Sequence, residues 1–176
     1  MRGFTRRAVV LFAGSTLFSP FMFSQCRALH AEITDSSAPE GCTSAFHFCA
    51  AGAVEGNLGL TGTTYFVLDG VGTGPATGPG YSPTSGLLVY TTSEGTMTVR
   101  ETGIGKFSGN PSNGYGAAIE DVISGTGRYL GATGSLHVRQ RDENNIFYSK
   151  ITGKLCLPED KGHGDERGER SDGFDF

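Results

Sequence analysis

Apolar and polar positions along this chain alternate with a period of two, in short runs separated by clusters of glycine, proline and asparagine. The strongest run is 63–68 (Thr-Thr-Tyr-Phe-Val-Leu). Residues 45–55 alternate more weakly and read as the first strand. Residues 86–92, 96–102, 117–123, 135–141 and 146–157 read as strands three to seven. Asn57-Leu58-Gly59, Ser93-Glu94-Gly95 and Asp142-Glu143-Asn144-Asn145 supply turns between them. An eighth strand is expected either from the lead-in, residues 32–44, or from a kink dividing the long first or last strand. Residues 70–83 hold three prolines and five glycines and read as an irregular loop, as do 107–115. A loop as long as 70–83 is commonly a rim or lid of a site, although a plain hairpin tip has the same composition. Seven or eight antiparallel strands give a sandwich or a barrel.

Composition agrees with this reading. Among 176 residues there are 28 glycines and no tryptophan. A helix-interior glycine costs about 1 kcal/mol, so long helices are hard to build here.

The N-terminus reads differently from the rest. Arg2, Arg6 and Arg7 precede an apolar run over 8–23, shorter than the ~20 residues of a bilayer span. Residues 1–31 therefore read as a signal peptide, with cleavage expected after Ala28 or Ala31 and delivery to a secreted or periplasmic location. Thr5-Arg6-Arg7 hints at twin-arginine export. Gln25 makes Phe23-Ser24-Gln25-Cys26 a poor lipoprotein signal. Residues 32–44 read as a flexible lead-in, 45–158 as the folded domain and 159–176 as a disordered acidic tail with seven acids and three bases.

Loss of residues 1–31 takes the net charge from −4 to −8. Such a surface excludes phosphate-tracking partners, so no nucleic acid and, after cleavage, no membrane are expected. Cleavage there leaves Cys42, Cys49 and Cys156, with one disulfide expected in an oxidising compartment. Cys49–Cys156 would staple first strand to last, and Cys42–Cys49 is the local alternative. Cysteine and histidine spacing carries no metal motif.

The stretch Ile123-Ser124-Gly125-Thr126-Gly127-Arg128-Tyr129-Leu130-Gly131-Ala132-Thr133-Gly134 reads as a strand, a glycine corner with one aromatic plug and the start of another strand. Together with Gly95-Thr96-Met97-Thr98-Val99-Arg100 it resembles the corner of the allene oxide cyclase and dirigent proteins. Those proteins usually carry an arginine where Thr133 stands here. The resemblance covers residues 95–138. It implies a closed antiparallel β-barrel of about eight strands, assembly as a homodimer or homotrimer, and cofactor-free work on flexible apolar substrates. Some members cyclise polyenes or epoxides, and others guide radical coupling.

Alternation sorts side chains into faces. Met97, Val99 and Glu101 share one, as do Ala118, Glu120 and Val122; Tyr65 and Val67 oppose Phe66 and Leu68; Glu55 ends an apolar run. A carboxyl facing a barrel interior must be paired, protonated or functional, unless a bulge turns it to water. Glu55, Glu101 and Tyr65 are the candidate catalytic residues, and Tyr90, Tyr148, Phe66 and Met97 the candidate ligand contacts. His47 and His137 read as surface residues. No nucleophile elbow and no phosphate loop is present. The expected function is uptake of a small apolar or polyene-like ligand, with cyclase or isomerase activity or coupling guidance and no cofactor. A non-catalytic binding barrel and a structural barrel with a filled interior are the alternatives.

Overall fold

The computed structural model describes residues 24–74, 78, 80–108 and 113–158. Eight strands follow one another: β1 (Ser24–Ser37), β2 (Cys49–Gly56), β3 (Gly62–Val71), β4 (Ser82–Thr92), β5 (Gly95–Ser108), β6 (Asn113–Gly125), β7 (Thr133–Glu143) and β8 (Ile146–Pro158). Each pairs antiparallel with the next, and β1 pairs with β8 from Ser24↔Pro158 to Ser36↔Ile146, so the sheet closes on itself. The expected all-β closed barrel is therefore the fold.

The seven expected strands are present, most of them longer than the sequence pattern marked. Much of 107–115 is not an irregular loop: Phe107 and Ser108 end β5, and Asn113 and Gly114 begin β6 opposite them. The β7–β8 turn uses Asn144 and Asn145, at φ of 56° and 63°, as a type I′ hairpin requires.

The largest correction is at the start. The eighth strand, β1, begins inside the segment expected to leave with the signal and runs through the expected lead-in. Leu29, Ala31, Ile33 and Asp35 are buried, and His30, Glu32, Thr34 and Ser36 are exposed. That alternation is a half-buried strand, hidden in the sequence by the apolar run preceding it. Cleavage after Ala28 or Ala31 would remove much of β1 from its place between β2 and β8. Residues 1–23 and the acidic tail, 159–176, lie outside the described residues, as do 75–77, 79 and 109–112 of the two expected loops.

The disulfides follow from the same correction. Cys26 lies opposite Cys156 across the β1–β8 seam and is bonded to it. A seam staple is present, but through Cys26 and not Cys49. Cys49 instead takes the local partner, Cys42. Two disulfides suit an oxidising compartment.

One end of the barrel is packed solid. Leu29, Leu60, Met97, Tyr129, Leu136 and Leu155 are fully buried there. Tyr129 arrives on the glycine corner, where Gly127 has φ +56° and no room for a Cβ against the Glu94 carbonyl. The corner's aromatic is thus the plug that the sequence suggested. The opposite end is open.

Candidate functional site

The open half of the barrel is a cavity of about 510 Å3. Its walls come from the C-terminal ends of β1, β3, β5 and β7 and the N-terminal ends of β2, β4, β6 and β8. A volume of this size suits a small organic ligand. Phe48 stands at the rim in edge-to-face contact with Phe66 and Phe147, at centroid distances of 6.4 and 5.7 Å. Gly86 makes room for the Phe66 ring, since a Cβ there would lie 2.4 Å from it. The facing wall on β5 and β6 carries Gly103, Gly105, Gly116 and Ala118, with the Phe107 ring packed over Gly105 and Gly116.

Four carboxyl groups reach this mostly apolar space: Asp35 from β1, Glu101 from β5, Glu120 from β6 and Asp142 from β7. Glu120 is fully buried. Its Oε2 accepts a 2.6 Å hydrogen bond from the Tyr90 hydroxyl, while its Oε1 has no hydrogen-bond partner. Glu101 sits directly opposite Glu120 in the β5–β6 register. Asp35 accepts a 2.5 Å hydrogen bond from the Thr64 hydroxyl.

Burial holds protons on Glu120, Glu101 and Asp35, and like charge adds to it at Glu120 and Glu101. Burial pushes Glu120 up to about 8, with the Glu101 charge adding to it and the Tyr90 hydrogen bond opposing it. Burial, reinforced by the Asp35 charge, raises Glu101 to about 7. Burial raises Asp35 to about 6 against the lowering effect of Thr64. Tyr90 is held well above the ordinary phenol value, by burial first and the Glu120 charge second, so it stays a donor. Near neutrality the cluster therefore contains both a carboxylic acid and a carboxylate in one low-dielectric pocket. Such a pair can donate a proton at one point of a ligand and accept one at another.

The expected site residues divide between the two faces. Glu101 and Phe66 line the cavity. Tyr90 faces inward and reaches it through Glu120. Met97 is buried in the closed end below the cavity. The other three candidates point outward. Glu55 is exposed on β2 beside Glu32. Tyr65 packs on the outer face opposite Val89. Tyr148 is 40% exposed, with the Arg141 guanidinium 5.4 Å from its ring. Three cavity acids were not among the candidates. Glu120 lay on a recognised stripe and could have been found there. Asp35 was hidden in the supposed lead-in, and Asp142 was read as part of a turn.

No family model matches this sequence, and no curated protein matches it. Among solved structures, a pterocarpan synthase dirigent protein aligns over its whole chain with 86% of this one, at 9% identity and a TM-score of 0.35. A likeness that slight carries no argument about ligand or reaction. The barrel rests on its own strand pairing and the site on its own geometry.

Proposed function

We propose that this barrel admits a small, largely apolar molecule through its open end and isomerises or cyclises it by proton transfer, without a cofactor. One observation carries the reading: a fully buried glutamic acid, anchored by Tyr90 through one oxygen, has its other oxygen unsatisfied at the wall of an apolar cavity. Buried polar atoms are nearly always paired, and an unpaired one at a cavity wall is open to a ligand as its partner. In this reading Glu120 donates the proton, Asp35 or Glu101 accepts one, and the ligand lies between Phe107 on the β5–β6 wall and the Phe48, Phe66 and Phe147 rings. Acid–base chemistry favours a cyclase or isomerase over a guide of radical coupling, which needs no proton relay. It also favours catalysis over a plain carrier, whose cavity needs no carboxyl cluster. The two disulfides support a secreted or periplasmic location, with any export signal ending before Ser24.

A β,γ-unsaturated cyclic ketone is a suitable probe. Its conversion to the conjugated α,β-isomer removes a proton from the α carbon and delivers one to the γ carbon, with nothing else consumed. The protein is expected to accelerate this conversion above the buffer rate. Glu120→Gln and Asp35→Asn are each expected to lower the rate about 100-fold or more, in keeping with general acid–base contributions. Conversion at the buffer rate, or variants as active as the parent protein, would overturn the catalytic reading.

A further inference from the structure

Charge is segregated in this barrel. Between residues 24 and 158 the chain has eleven Asp and Glu and eight Lys and Arg. The seven acids outside the lumen are all exposed, and among the described residues no lysine, arginine or histidine lines the cavity. The outer surface is therefore close to neutral, while the lumen holds four carboxyls and no base. Asp35, Glu101, Glu120 and Asp142, with the Tyr90 phenol, are the titratable groups that face inward; β2, β3 and β8 contribute none.

Acceptors and donors both line the lumen, the donors on Ser37, Thr84, Gln140, Asn145 and Ser149, but no cation faces the carboxyls among the described residues. The two hydroxyls nearest the cluster, on Tyr90 and Thr64, are already committed to Glu120 and Asp35. Glu120 Oε1, fully buried, still lacks a hydrogen-bond partner. A neutral hydrocarbon offers it none, and an anionic ligand meets only like charge. Among the described residues no three such groups converge closely enough to hold a metal ion, because the carboxyls stand on separate strands around an open space. A larger organic donor can span that space.

We infer that the molecule taken up by this cavity carries a basic nitrogen, entering as a monocationic amine whose apolar body lies against the Phe48, Phe66 and Phe147 rings. This rests on the reading of the lumen as a ligand cavity, and not on the proton-transfer step. An ammonium group brings N–H donors together with a positive charge, which no described residue of the lining supplies to the four carboxyls. Its charge replaces the protons that the crowded carboxyls otherwise retain, so binding should expel protons to solvent.

Three naphthalene probes of matched size test this on the full chain by titration calorimetry at pH 7.5: 1-naphthylmethylamine, 1-naphthalenemethanol and 1-naphthoate. The amine is expected to bind at least tenfold more tightly than the alcohol, and the carboxylate more weakly than both. The amine's apparent enthalpy should change with the ionisation enthalpy of the buffer, and the alcohol's should not. Glu101→Gln with Glu120→Gln should abolish the amine's advantage while alcohol binding persists, which also shows that the variant retains its cavity. Equal or tighter binding of the alcohol or the carboxylate would overturn the amine inference and leave the cavity reading standing. Failure of all three to bind would overturn both.

Discussion

At the scale of residues, the account turns on how a carboxyl behaves when a barrel wall aims it inward. Glu101 was legible because its strand alternates cleanly, with Met97 and Val99 on the same face. Glu55 and Tyr65 lie on the outer face, and the sequence could not show this for physical reasons. The run before Glu55 is mostly alanine and glycine, too small to mark which face is buried. Tyr65 belongs to an outer stripe with Val67, Leu87 and Val89, so β3 and β4 are apolar on both faces and period alone cannot tell inside from outside. The raised acids have a consequence for stability. Between the ordinary carboxyl value of 4.5 and about 8, folded Glu120 binds more protons than it does in the unfolded chain, and Glu101 does so up to about 7. Stability is therefore fullest below pH 4.5 as far as these groups are concerned, and is lost as pH rises through 7 and 8. The loss should be on the order of a few kcal/mol. Denaturant unfolding from pH 5 to 9 is expected to show this decline, and Glu120→Gln should make it shallower. An undiminished decline in that variant would assign the slope to other groups.

At the scale of elements, β1 decides whether the sheet is open or closed. Its alternation is as regular as that of any other strand, yet it follows an apolar, arginine-led run that reads as an export signal. The two patterns overlap at residues 24–31, which the sequence assigns to the signal and which pair with β8 in the barrel. The Cys26–Cys156 bond joins residues 130 apart in sequence, whereas Cys42–Cys49 spans 7. Closing the longer loop restricts the unfolded chain far more. Replacing Cys26 and Cys156 with serine is expected to lower unfolding free energy by ~2–4 kcal/mol, and replacing Cys42 and Cys49 by less. Paired denaturant curves check the order, and the reverse order would mean that the seam is held by strand pairing alone.

At the scale of the whole molecule, the barrel is a cup with an apolar floor, an aromatic rim and an acid-lined waist. Strand number and the aromatic plug of the corner were readable from alternation and from the glycine pattern, whereas closure was implied by the resemblance of residues 95–138, alternation alone fitting a sandwich equally. The cup's contents were not, because they depend on which strands face each other across the lumen, and β1 contributes one of the acids. The central claim is that the cavity holds a carboxyl group in its neutral form, ready for a ligand. Carboxyl carbon NMR of protein labelled at glutamate, with the Glu120 signal assigned by its loss in Glu120→Gln, tests that claim most directly. A Glu120 titration midpoint near 8, falling when 1-naphthylmethylamine occupies the lumen, is the expected result. A midpoint near 4.5, unchanged by the amine, would contradict it.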